Sequence, residues 1–135
     1  MRKALIILAL MTLLATPSMA QIDLHSQQYG ERIVRLAEIE VVPEYLEEYL
    51  AYAKEVGETS VKVEPGVLTL FSMQEKDNPC KIHILEIYAD KEAYQSHLQT
   101  AHFKKYKEGT AQMVKSLKLI DTKPMVGMEQ FGKIE

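Results

Sequence analysis

The chain has 135 residues, 47% of them hydrophobic and 26% charged, with a formal net charge of −3. That length suits one domain with a short appendage, and six Gly and five Pro at this apolar fraction exclude a collagen-like or disordered chain. The slightly acidic balance argues against nucleic-acid binding, the absence of Trp removes any mechanism that needs an indole, and the single Cys80 forbids an intrachain disulfide.

In chain order, Arg2 and Lys3 precede an apolar run from Ala4 to Ala15, and Ser18-Met19-Ala20 places small residues just before Gln21. This is the order of a secretory signal cut before Gln21. The run is shorter than the ~20 residues a membrane-spanning helix needs, with a retained anchor as the alternative. Residues 1–20 are therefore expected to be removed, giving a bacterial periplasmic or secreted protein with no stable membrane insertion. In that oxidising compartment a lone Cys implies stability from packing, and Cys80, after Pro79 at a loop end, reads as an incidental thiol.

Residues 21–32 are polar and read as a leader arm, 33–125 as the folded domain, and 126–135 as a tail. Within the domain, Ile33 to Val42 is a strand rich in β-branched residues. Pro43 suits a first helical position, and Leu46, Leu50, Ala53 and Val56 recur at helical spacing, predicting an amphipathic helix from Glu44 to about Thr59. Glu64-Pro65-Gly66 is a turn. Val67–Gln74 and Lys81–Tyr88 are strands joined by a hairpin loop, Glu75 to Cys80. Asp90 can cap a helix from Lys91 to Gln99, and Thr100 a second from Ala101 to about Lys115, before a last strand, Leu117 to Thr122. Val126 marks a short stretch of strand character in the tail.

The order β-α-β-β-α-β is that of the split βαβ, ferredoxin-like α+β fold, whose helices cover one face of the sheet. In the third strand Ile82, Ile84, Glu86 and Tyr88 point one way and His83, Leu85, Ile87 and Ala89 the other; in the second, Val67, Thr69, Phe71 and Met73 oppose Leu68, Leu70, Ser72 and Gln74. Both sides are largely apolar, and the chain is too short to cover both. Face-to-face pairing with a second copy, a homodimer, is the simplest cover.

Four His offer chemistry. His25 lies in the leader arm, and His83 sits in a strand as a packing residue. His97 and His102 flank the break between two helices, and five residues is not the i, i+4 spacing of a one-helix metal site; no carboxylate cluster completes a ligand set in sequence. No phosphate loop, dinucleotide fingerprint or nucleophile elbow is present. Glu86 is an acidic residue inside an apolar strand. It is either an acid/base group converging with the two histidines on a cavity, or a structural ion pair or edge residue. Tyr45, Tyr49 and Tyr52 form a helix stripe that suits core or dimer packing.

The stretch from Glu86 to Phe103 resembles the signature of the antibiotic biosynthesis monooxygenase (ABM) family. It has a strand ending in Glu86-Ile87-Tyr88, Asp90 as an acidic cap, and then His97-Leu98-Gln99-Thr100-Ala101-His102-Phe103. The resemblance follows the element order from Ile33 to about Met125. It implies a dimeric α+β barrel and, for many members, cofactor-free oxygenation of electron-rich phenols such as quinols and anthrones. Glu86, His97 and His102 match motif positions and are the candidate catalytic residues. Tyr88 stands where many members carry Trp, and with Phe71, Phe103 and Tyr106 it makes the candidate substrate-binding set. Haem-degrading relatives depend on a Trp that this chain lacks. The expected partners are a second copy, a phenolic small molecule and O₂, with neither cofactor nor metal. A non-catalytic ligand-binding dimer and an isomerase of the same family are the alternatives.

Overall fold

The structure, a computed structural model, describes residues 31–124. The expected signal at residues 1–20, most of the expected leader arm with His25, and the tail with Val126 lie outside the described residues. The elements are β1 (Ile33–Val41), a 3₁₀ turn (Pro43–Tyr45), α1 (Leu46–Val63), β2 (Val67–Gln74), β3 (Lys81–Tyr88), α2 (Lys91–His97), α3 (Ala101–Thr110) and β4 (Val114–Thr122). The four strands form one sheet in the order β2-β3-β1-β4, with every neighbouring pair antiparallel. This is the expected ferredoxin-like α+β architecture.

Several boundaries differ from the sequence reading, for local reasons. Pro43 opens a 3₁₀ turn rather than the helix itself, and α1 then runs one turn further than expected. It stops at Val63 because Glu64, held extended by Pro65, cannot continue it. The last helix ends at Thr110, whose hydroxyl donates back to the Tyr106 carbonyl at 2.8 Å, and β4 begins at Val114 to meet Val41 across a bulge.

The core lies between the sheet and α1: Ala37, Ile39, Val41, Tyr49, Ile82 and Met113 are buried together, with Tyr45 and Tyr52 packed against them. The tyrosine stripe is therefore a core stripe. Reading the register across the sheet separates its two faces. On the helix side the rows are Leu70–Glu86–Arg35–Asp121 and Ser72–Ile84–Ala37–Leu119. On the outer side Phe71–Leu85–Leu36–Ile120 is wholly apolar, and the next row, Met73–His83–Glu38–Lys118, is mostly polar or charged. Phe71 is 59% exposed there, and Met73 is exposed beside it.

Candidate active site

The helix-side row that carries Glu86 and Arg35 is the floor of a cavity between sheet and helices. Its volume of about 100 Å³ is room for a small organic molecule rather than one water. Glu86, Tyr88 and Arg35 rise from the sheet, and His97, Phe103 and Tyr106 come down from the helices. Two caps place the roof. The Asp90 carboxylate accepts from the Ala93 amide at 2.7 Å, starting α2. The Thr100 hydroxyl accepts from the Phe103 amide at 3.3 Å and donates to the His97 carbonyl at 2.8 Å, so one residue ends α2 and starts α3. The break noted in sequence is thus a hinge that puts His97 and Phe103 side by side, with ring centres 4.8 Å apart.

The carboxylate that organises the histidines is Glu64. Its Oε2 sits 2.9 Å from His97 Nδ1 and 2.6 Å from His102 Nε2. The His97 side chain is only 4% exposed, and those of Glu64 and His102 are also largely covered. The turn carrying Glu64 is pinned in place: the Ala89 amide donates to the Gly66 carbonyl at 2.9 Å, and a Cβ at Gly66 would collide with Ala93. Only Gly lets the turn approach α2 this closely. Burial alone would raise the Glu64 carboxyl, but hydrogen bonds from His102 and His97 outweigh it and hold the group below the ordinary carboxylate range. An anionic Glu64 accepting from Nδ1–H leaves the lone pair of His97 on Nε2, across the ring, for the cavity that His97 lines.

Glu86 has the opposite electrostatics. Burial pushes its carboxyl above the ordinary range, with the Tyr88 hydroxyl and the Arg35 charge offsetting part of the shift. Tyr88 donates to Glu86 Oε2 at 3.2 Å and is itself held protonated by burial and by that neighbouring carboxyl. The Tyr88 ring lies 5.5 Å from that of His97, so it joins the two titratable groups across the cavity. Arg35 is fixed by Asp121, to which Nε donates at 2.7 Å, and its guanidinium stacks 4.6 Å above the Tyr94 ring. Behind these, the Tyr49 and Tyr106 hydroxyls hydrogen-bond at 2.7 Å. Two carboxyls in one site are therefore pushed apart, one toward its ionised form and one toward its neutral form, the usual mark of divided acid and base duties.

Of the residues expected to make the site, Glu86, Tyr88, His97, Phe103 and Tyr106 line one cavity. Two expectations need correction. Phe71 is not among the lining residues: strand alternation turns Leu70 and Ser72 inward and Phe71 to the outer face. His102 does not line the cavity either, but reaches His97 through Glu64. Glu64 itself was read only as a turn residue, and it supplies the carboxylate that the two histidines lack in local sequence. Its distance along the chain, 33 residues from His97 and 38 from His102, left the residue before a Pro-Gly turn as the only signal.

A model of the family described as antibiotic biosynthesis monooxygenase matches residues 32–109, more than half of the chain, and takes in Arg35, Glu64, Glu86, Tyr88, His97, His102, Phe103 and Tyr106. The chain belongs to the ABM family. The structure of a candidate antibiotic biosynthesis monooxygenase of Bacteroides thetaiotaomicron is 54% identical, covers 73% of this chain and 94% of its own, and superimposes with a TM-score of 0.72. A candidate monooxygenase of Lactobacillus acidophilus is 35% identical over 67% of this chain but only 43% of its own, with a TM-score of 0.66. A candidate ABM protein of Nitrosomonas europaea, 20% identical over 70% of this chain and 91% of its own, shares the fold at a TM-score of 0.66. No curated protein matches the chain. ABM membership supports a general monooxygenase-like function for the chain.

Proposed function

We propose that this ABM protein is a cofactor-independent monooxygenase that oxidises a quinol- or anthrone-like phenol with O₂. The observation that carries the reading is His97: Glu64 fixes one edge of its ring, and the other edge borders an aromatic cavity that also holds the neutral-leaning carboxyl of Glu86. A phenol seated against Phe103 and Tyr106 gives its proton to His97 Nε2, and Glu64 stabilises the resulting imidazolium. The phenolate donates an electron to O₂, and recombination at a ring carbon forms a peroxide. Glu86 or the charged His97 then returns a proton as the O–O bond breaks. One oxygen stays on the ring and the other leaves as water, so a quinol becomes a hydroxyquinone and supplies all four electrons itself. The apolar walls keep water from the intermediates.

The working unit in this reading is a homodimer in the periplasm or outside the cell. The uncovered apolar row Phe71–Leu85–Leu36–Ile120 supports the first part, and the signal-like pattern from Arg2 to Ala20 the second. Among the described residues no helix is long and apolar enough to cross a membrane. An oxygen electrode with a panel of quinols and anthrones tests the reaction. Uptake of one O₂ per substrate, without peroxide release, is the expected result. Ligand binding with no uptake across the panel would put a carrier in its place, and substrate rearrangement without uptake an isomerase.

A further inference from the structure

We propose that Glu64, His97 and His102 form a binding site for a divalent transition-metal ion of the zinc class, and that a bound ion turns His97 from a base into a hydrogen-bond donor. This goes beyond the oxygenase reading and does not rest on it, since the three ligands are the same whatever occupies the cavity. Two imidazole nitrogens and one carboxylate oxygen are a donor set that favours Zn²⁺, Co²⁺, Ni²⁺ or Fe²⁺ over Mg²⁺ and Ca²⁺. Their ligand atoms all lie within 4.8 Å of one another. A tetrahedral ion with bonds near 2.0–2.1 Å needs its ligand atoms about 3.3 Å apart. The carboxylate–imidazole pairs, at 2.9 and 2.6 Å, have only to open slightly. The two nitrogens have to draw together, which falls to the His102 ring as the less deeply buried of the two.

The three ligands come from three elements, each locked at its own end. Glu64 ends α1 before Pro65, His97 is the last residue of α2, and His102 is the second residue of α3 beyond the Thr100 cap. Three protein ligands leave a fourth position for water or a small ligand, as in catalytic rather than structural sites.

The consequence for His97 follows from proton placement. Without an ion, Glu64 holds the ring proton on Nδ1 and the lone pair is on Nε2. An ion bound at Nδ1 needs the lone pair of that nitrogen, so Nδ1 gives up its proton and the neutral ring carries its proton on Nε2, toward the cavity. The ion and a substrate proton therefore compete for His97 through its two nitrogens.

Titration calorimetry of the untagged, metal-stripped chain with zinc chloride tests the site. One equivalent should bind with a dissociation constant at or below about 10 µM, and Glu64→Gln and His102→Ala should each weaken it by ~30-fold or more. Nitrogen-15 spectra of the unmutated protein give a readout that no variant's folding can confuse. Zinc should shift the Nδ1 signal of His97 and place its proton on Nε2. An unchanged His97 spectrum, unaltered affinity in either variant, or less than half an equivalent bound at about 100 µM zinc, roughly ten times that constant, would overturn the proposal. None of these readouts involves oxygen uptake, so failure here leaves the oxygenase reading untouched, and failure of that reading leaves the metal site standing.

Discussion

A histidine–glutamate pair lies on each side of the sheet, one among the helices and one on the outer face, and the two pairs have nearly the same length but very different surroundings. Under the helices, His97 Nδ1 meets Glu64 Oε2 at 2.9 Å with both side chains largely covered. On the outer face, His83 Nε2 meets Glu75 Oε1 at 2.8 Å with 31% and 40% of the side chains exposed. Water screens the second pair, whose neighbours across the sheet are Met73 and Glu38. The first pair is tied to His102 as well and opens onto an aromatic cavity. A close His–Glu contact is thus not enough to make a reactive group. What distinguishes the inner pair is that exclusion of water strengthens the hydrogen bond and that a free ring edge faces a space where a ligand fits.

Breaking the apolar part of the outer face should produce the largest effect. Phe71→Asp puts a charge on the most exposed member of the row that a second copy would cover, and should weaken self-association by ~10²-fold or more, equivalent to about 3 kcal/mol. Sedimentation at micromolar concentration should then give the mass of one chain where the unaltered protein gives two; an unchanged mass would place the dimer contact elsewhere. The two pairs themselves can be set against each other. His97→Ala should lower oxygen uptake by roughly 10²-fold or more, the usual worth of a positioned proton-transfer group, while His83→Ala leaves it within about twofold. Equal losses in both would end the distinction drawn between the faces.

Glu64→Gln sharpens the same comparison. The amide keeps an acceptor oxygen but cannot stabilise an imidazolium, so turnover should fall by roughly tenfold or more. Its stability effect has a defined sign with pH. Glu64 is held below its ordinary value of 4.5 in the folded protein, so its contribution is present above that value and is lost as pH falls through the lower folded value. The unaltered protein should therefore shed stability below about pH 4.5 that the variant never had, and melting curves at pH 7 and pH 3 measure the difference.

The smallest effect is expected at Glu86, where the sign reverses. Burial raises its carboxyl in the fold, so the ionised group costs stability at neutral pH and that cost disappears in acid. Glu86→Gln should raise stability at pH 7 by ~1 kcal/mol or less, a few degrees in melting temperature, with the gain vanishing below pH 4.5. A variant less stable than the parent at pH 7 would mean that Glu86 acts as a structural ion-pair partner of Arg35 instead.

Periodicity made the fold legible. Alternation in β2 and β3, helical spacing from Leu46 to Val56 and the two caps at Asp90 and Thr100 act within a few residues, and the structure keeps all of them. Part of the site was legible for the same reason, because Glu86, His97 and Phe103 lie within one strand–helix–helix stretch. The placement of Phe71 was not. Alternation fixed that it opposes Leu70 and Ser72, but an apolar strand gives no sign of which side the helices cover, and one choice of side moves Phe71 out of the cavity.

By itself, then, the sequence determined the order of elements, the two-faced sheet and the break that sets His97 beside Phe103, since each depends on contacts between near neighbours in the chain. Only the tertiary structure decided which face holds the cavity, and that a turn residue more than thirty positions upstream supplies the carboxylate between the two histidines. That meeting follows from the packing of the α1 terminus against the α2–α3 break, where Gly66 leaves room for Ala93, and no local pattern records so distant a contact.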